Sequence, residues 1–296
     1  MVRAVSRERS SARLGQHWVA IMNLGGAEMS AIRVRSQSGR FPAKADARWQ
    51  ASPAGSVEND PSETSLDLHQ RRLAASSLAP IMALVVNDTS LPGFFPATAM
   101  PDPDWWQALW PDPKQVLAAV GIRADMEVVD LCCGDGLFTA PLALMCRHVI
   151  GIDLDPGMVG VAQSKVVAVG ATNCELIEGD AYAVAELVAR PVDYVLIANT
   201  FHGVPDKPRL ARGVAAILKP GGRFTVINWH RRSREQTTVL GQPRGPRTDM
   251  RMEAADVAAT VGPSGLTLID VIELPPYHYG AIFGPPSLGG TVGNAS

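Results

Sequence analysis

The side chains in this sequence that can do chemistry cluster in four places, each directly after an apolar run. The first is Val128–Thr139, reading VVDLCCGDGLFT. Gly134 and Gly136 allow a tight turn and close backbone approach by a nucleotide-like ligand, and the following helix offers its free amides. Two glycines fit a dinucleotide fingerprint, but Thr139 stands where the third should be, which argues against that reading. Asp153 ends the next apolar run, 19 residues after Gly134, where a carboxylate can accept hydrogen bonds from ribose hydroxyls. Asp180, after Gly179, is placed to accept from an adenine amino group, and Asn199 ends the run beside it. A purely structural turn with a helix cap would use the glycines and acids of the first pair equally well.

These positions need a scaffold that brings them to one edge. Apolar strands are expected at 127–132, 148–153, 174–178, 192–199, 223–229, 266–274 and 277–283, with helices at 114–120, 136–147, 156–169, 181–189, 206–218 and 252–261. Near-continuous apolar strands separated by crossover helices predict an α/β fold with a mainly parallel sheet covered on both faces. The last two strands are joined too closely for a helical crossover, so one of the seven must run antiparallel at the C-terminal end. In such a doubly wound, Rossmann-like sheet the ligand site lies beyond the carboxyl ends of the strands, where all four clusters fall.

Composition narrows the setting. The 296 residues carry 27 Lys and Arg against 29 Asp and Glu, with 46% hydrophobic residues. A net charge of −2 excludes a general polyanion binder, and nucleic acid is not an expected partner. The balance is uneven: +6 over residues 1–50, −3 over 51–100 and −5 over the remainder. No apolar run approaches the ~20 residues that span a bilayer. Four cysteines, two of them adjacent, suit reduced thiols in the cytoplasm rather than a disulfide scaffold. Residues 1–99 lack sustained periodicity and are expected to be an unstructured extension, a transit peptide, or sequence upstream of a true start. The domain is placed at 100–284, with a mobile tail over 285–296.

The text DLCCGDGLFT (130–139), GIDLDPGMV (151–159), EGDA (178–181), DYVLIANTFHGV (193–204) and LKPGGRFTVINW (218–229) resembles the class I S-adenosylmethionine-dependent methyltransferases, especially the small-molecule group related to quinone biosynthesis. The five motifs occur in the family's order over about 185 residues. The resemblance implies that Asp130 and the backbone of Cys132, Cys133, Gly134 and Gly136 hold the methionine moiety of S-adenosylmethionine. It further implies that Asp153 binds the ribose, Leu154 flanks the adenine, Asp180 and Ala181 hold its edge, and Asn199 lies near the reacting sulfonium. Cys132 departs from the family's usual glycine. Methyl transfer needs a base only if the acceptor must lose a proton; His202 is the first candidate and His230 the second, with shaping of the pocket or a loop as the alternative role. A nicotinamide-dependent oxidoreductase and a noncatalytic cofactor-binding partner are the competing functions.

Residues 231–251 carry six arginines against two acids and leave the carboxyl end of a strand. Guanidinium groups there suit a small-molecule acceptor with an anionic group, although a solvated basic loop would look the same. Cys132, Cys133, Cys146 and His148 lack the spacing of a metal site, so no metal is expected. Trp105, Trp106 and Trp110 read as packing for a leading helix, with a cap on the acceptor pocket as the alternative.

Overall fold

The computed structural model describes residues 16–21, 30–36 and 93–286, the first two segments as backbone only. Its strands are β1 (Gln16–Ile21), β2 (Ser30–Ser36), β3 (Glu127–Leu131), β4 (His148–Asp153), β5 (Cys174–Glu178), β6 (Val192–Ala198), β7 (Leu218–Trp229), a two-residue hairpin β8 (Thr238–Val239) and β9 (Gln242–Pro243), β10 (Thr267–Leu274) and β11 (His278–Gly284). Its helices are α1 (Pro103–Leu109), α2 (Pro113–Ala119), α3 (Thr139–Met145), α4 (Pro156–Ala168), α5 (Val184–Leu187), α6 (Lys207–Ile217) and α7 (Ala254–Val261). None of the described helices is long and apolar enough to cross a membrane.

The seven expected strands lie in one sheet in the order β5-β4-β3-β6-β7-β11-β10. β3 to β7 are parallel, and β11 is inserted antiparallel between β7 and β10. The sheet itself has nine strands, because β2 pairs parallel to β5 and β1 pairs antiparallel to β2. Two segments of the stretch expected to be unstructured therefore extend the sheet where β5 would otherwise present an open row of backbone groups. The rest of residues 1–92 lies outside the described residues, as does the tail from 287.

Period-two alternation places side chains on two cores. Val128, Tyr194 and Leu196 face the layer of α1 to α4 with Leu117, Leu142 and Ala162. Val129, Leu131, Val195 and Ile197 face α5 to α7 with Val184, Leu210 and Val257. The chain changes face between α4 and α5, while the strand order reverses between β3 and β6. That reversal opens a crevice at their carboxyl ends.

Polar groups inside these layers are matched. The Tyr194 hydroxyl, on a fully buried ring, donates to the Val120 carbonyl at 2.6 Å and lies 2.5 Å from the Thr225 hydroxyl. It fastens the end of α2 to the middle of the sheet. At the amino ends of the strands the charges also pair: Lys219 bridges Glu127 at 3.0 Å and Asp193 at 2.9 Å. Tyr194→Phe strands the Val120 carbonyl and should cost about 1–3 kcal/mol; an unchanged urea midpoint and slope would show that this bond carries no stability.

Candidate functional site

The turn between β3 and α3 is held by carboxylates. Asp153, at the end of β4, accepts from the Gly134 amide at 2.7 Å through one oxygen and from the Asp155 amide at 3.0 Å through the other. The Cys133 amide donates to the Ile152 carbonyl at 3.0 Å, so the turn rests on β4 over two consecutive residues. Asp155 caps α4 by accepting from the Gly157 amide. Asp180 accepts from the Tyr182 amide at 2.9 Å and starts the short turn at Ala181–Ala183.

Asp130 is the most deeply placed acid of the group. Its carboxylate accepts from the Thr139 hydroxyl at 2.6 Å. Burial pushes its pKa up to about 7, against the lowering effect of that hydrogen bond. Burial also raises the pKa of Asp153, opposed by its two amide donors. No cation within the described residues forms an ion pair with Asp130, Asp153 or Asp180, in contrast with the neutralised acids at the opposite end of the sheet. Cys132 and Asn199 flank the crevice in left-handed backbone, at φ 60° and 59°. The position is ordinary for asparagine and strained for cysteine, at about 1–3 kcal/mol. Both polar atoms of the Asn199 side chain are shielded from solvent and have no hydrogen-bond partner.

These residues border one cavity of about 460 Å³. Asp130, Cys132, Cys133, Gly134, Asp153, Leu154, Asp180, Ala181, Asn199 and His202 all line it. Gly136 does not. A Cβ there would meet Ala162 at 2.8 Å, so this glycine seats the turn against α4. Trp105, Trp106 and Trp229 also line it, with Arg234, Arg244 and Arg247. Trp105 and Trp106 are thus lining as well as packing, whereas Trp110 packs on Phe138 and His278.

Residues 93–101 form a strap along the cavity that the sequence reading did not find. A Cβ on Gly93 would touch Leu154 and one on Gly134 would touch Met100. Phe95 meets Tyr182 edge-on at 5.4 Å, and Gly203 is so close to the Pro96 carbonyl that no side chain fits between them. The boundary expected at residue 100 therefore cuts through the cavity wall. The signal lay in Leu91-Pro92-Gly93-Phe94-Phe95-Pro96, an apolar, proline-bracketed run in otherwise polar text.

The strap also engages His202. Its Nε2 lies 3.1 Å from the Ala97 carbonyl, and since a carbonyl only accepts, Nε2 carries the proton. Burial lowers the His202 pKa, with Asn228, Lys207 and Arg251 the other groups acting on it, so the ring is neutral near pH 7. His230 is turned away, with Nε2 at 3.0 Å from Glu273, and does not line the cavity. Tyr277 stacks on Trp229, the Tyr279 hydroxyl donates to the Met252 carbonyl, and His278 is buried between Trp110 and Trp229.

The arginine loop is folded. Arg251 is buried and donates to the carbonyls of Pro246, Arg232 and Arg244 and to the Thr237 hydroxyl, with its guanidinium 5.0 Å from the Trp229 ring centre. Arg231 pairs with Asp256 and Arg247 with Asp249.

Residues 128–222 match the family of proteins described as methyltransferase domain. Over that stretch the chain is similar to methyltransferase domains. Over 117 residues it is 30% identical to a demethylmenaquinone methyltransferase of Shouchella clausii, covering 38% of this chain and 49% of that protein. It is 29% identical over 118 residues to an uncharacterized methyltransferase of Schizosaccharomyces pombe, covering 38% and 44%. The chain thus spans about half the length of the curated relatives it matches. A SAM-dependent methyltransferase from Aquifex aeolicus shares the fold at a TM-score of 0.52 and 24% identity, over 62% of this chain and 93% of that one. The three strand-end aspartates and Asn199 fall inside that match, whereas the strap, Trp229 and the arginine loop lie outside it.

Gly203→Ala should lift the strap while leaving both cores intact. Amides of residues 94–100 are expected to exchange hydrogen markedly faster, with the exchange of β3 and β6 unchanged. Unaltered exchange over 94–100 would mean that the strap is not seated on Gly203.

Proposed function

We propose that this chain transfers a methyl group from S-adenosylmethionine to a small-molecule nucleophile bearing an anionic group. The observation that carries the reading is the set of three aspartates, Asp130, Asp153 and Asp180, without an ion-pair partner among the described residues, at the strand ends of one cavity that Asn199, its amide without a partner, also lines. Buried acids without cations suit a ligand rich in hydrogen-bond donors and positive charge. When bound, S-adenosylmethionine supplies a methyl group already activated on a positively charged sulfur.

The chain's own groups divide the work by position. Asp153 has lone pairs beyond those used by the Gly134 and Asp155 amides and accepts from the ribose hydroxyls. Asp180 and Ala181 meet the adenine edge, with Leu154 on its face. Asp130 and the backbone of 132–134 hold the amino-acid end. Asn199 projects its amide toward the reacting centre. His202 latches the strap through its Nε2–H, which leaves Nδ1, without a hydrogen-bond partner, as the nitrogen that can accept a proton from a nucleophile. Trp105, Trp106 and the strap exclude water and hold the acceptor in line, which is most of what this chemistry asks of a protein. The arginines that line the cavity favour an acceptor with negative charge. Four free cysteines, three of them buried, support a reducing compartment, the cytoplasm.

Calorimetric titration with S-adenosylhomocysteine should give micromolar binding. Asp153→Ala should weaken it by about 1.5–3 kcal/mol, the loss of charge-assisted hydrogen bonds, and equal affinity in the variant would sink the ribose assignment. Binding of a nicotinamide cofactor without S-adenosylhomocysteine would favour the oxidoreductase reading.

Asp130 adds a pH dependence with a definite sign. Its folded pKa of about 7 stands above its ordinary value, so the folded protein holds a proton there that an unfolded chain has lost. That contribution to stability is present at low pH and disappears as pH rises toward 7. A cationic amine at the site favours the ionised form. Binding of S-adenosylhomocysteine should therefore release a proton and weaken as pH falls below about 7, and Asp130→Asn should abolish the release. Proton uptake and release are read from titrations in buffers of different ionisation enthalpy; no buffer dependence would remove Asp130 from the cofactor's amino-acid end.

A further inference from the structure

The six arginines of the 231–251 loop are not equivalent. Arg231 and Arg247 are neutralised by Asp256 and Asp249, at 2.6 and 2.7 Å. Arg251 spends its donors on the loop's own carbonyls and on Thr237. Arg232 does not reach the cavity, and Arg234 lines it as an exposed residue. Arg244 is different. It is half-buried, lines the cavity, and forms no ion pair among the described residues. Its Nε–H is shielded from solvent and has no acceptor. A buried donor left unsatisfied costs about 1–3 kcal/mol, more when it is charged, so its position calls for a ligand.

The rest of the loop holds this side chain in place. The Arg244 amide donates to the Thr237 carbonyl at 2.9 Å, and its own carbonyl accepts from the Thr237 hydroxyl and from Arg251 Nη2. The guanidinium lies 5.2 Å from the centre of the Trp105 ring, a contact that supports a cation without cancelling its charge. Next to it, Gly245 lies flat against Trp229, where a Cβ would sit 2.9 Å from the indole.

We propose that Arg244 is the residue that selects the methyl acceptor, by binding the carboxylate of an aromatic acid whose ring lies along the Trp105 and Trp106 wall. The inference rests on the methyl-transfer reading for the acceptor's role, but not for the anion itself. One guanidinium that donates to no acceptor among the described residues matches a singly charged, planar carboxylate through two parallel hydrogen bonds from its terminal nitrogens. A phosphate dianion would call for a second cation at the same depth, and Arg234 stands exposed at the rim. The indoles and Phe138 offer the flat, apolar surface that an arene fills.

The test uses the full chain, with and without saturating S-adenosylhomocysteine, titrated with 4-hydroxybenzoate, 4-hydroxybenzamide and phenyl phosphate. The acid should bind at least about tenfold more tightly than the amide, its neutral counterpart of the same shape. Arg244→Gln should weaken the acid by about tenfold to a hundredfold and bring it level with the amide. In that variant S-adenosylhomocysteine affinity and the melting temperature should stay the same. Arg244→Lys should recover only part of the loss, and Arg232→Ala, which removes a loop charge outside the cavity, should change nothing. Equal binding of acid and amide, preference for phenyl phosphate, no binding of the acid, or an Arg244→Gln variant that retains it would each overturn the proposal. Loss of S-adenosylhomocysteine binding by the unmodified chain, with acid binding still dependent on Arg244, would instead remove the methyl-transfer reading and leave the anion site standing.

Discussion

The Asp153 carboxylate is the interaction on which the site depends. Its two oxygens bind the amides of Gly134 and Asp155, so one side chain at the end of β4 fixes both the turn that leaves β3 and the entry into α4. That arrangement has a cost, since burial raises the carboxyl's pKa and the amide donors only partly offset the lost hydration. The neighbouring strand ends repeat the compromise. Asp130 is more buried still, with a single hydroxyl donor, and Cys132 and Asn199 hold left-handed backbone at either side of the crevice. Strain and desolvation are concentrated on one edge of the sheet, while the opposite edge pairs Glu127 and Asp193 with Lys219. The fold pairs Glu127 and Asp193 with a cation at one end and leaves Asp130, Asp153 and Asp180 without one at the other, where Lys165 reaches only Asp135.

Two irregular segments complete what the strand ends begin. The strap is held by backbone and ring contacts: the Pro96 carbonyl against Gly203, Ala97 on His202, Phe95 on Tyr182. The arginine loop is held by Arg251, which substitutes its guanidinium for the regular hydrogen bonding that the loop lacks. Such a charge is tolerated in the interior because each of the three guanidinium nitrogens donates to an oxygen and the Trp229 face lies 5.0 Å away. His202, at the meeting point of strap and strand, acts here as a latch, with the proton fixed on the nitrogen that faces Ala97.

The seven strands of the domain were legible because each is a short apolar run followed by glycine or an acid, and periodicity is a strong signal over such runs. Helix limits were less so. α3 begins at Thr139 rather than at Gly136, because the turn needs left-handed backbone at Gly136, φ 79°, before a helix can start. β1 and β2 escaped notice although Ile32, Arg33, Val34 and Arg35 alternate with period two, since arginine-rich text reads as solvated chain. The acids of the site could be found because a strand end can be located from sequence. The strap and the place of Arg244 could not, because the contacts that set them, Ala97 with His202 and Trp105 with Arg244, span more than a hundred residues. Nor does a list of six arginines reveal which one lacks a partner.

The cavity lining comes from two different kinds of sequence. The acids belong to strand ends within 128–222, where the match to methyltransferase domains lies. The strap, Trp229 and the cavity arginines lie outside it. Residues fixed by a parallel sheet cannot drift without moving their neighbours, whereas a strap and a stapled loop can be rebuilt locally. Selection can therefore rewrite one half of the cavity while inheriting the other, so relatedness read from the inherited half carries no information about the compound that the rewritten half admits.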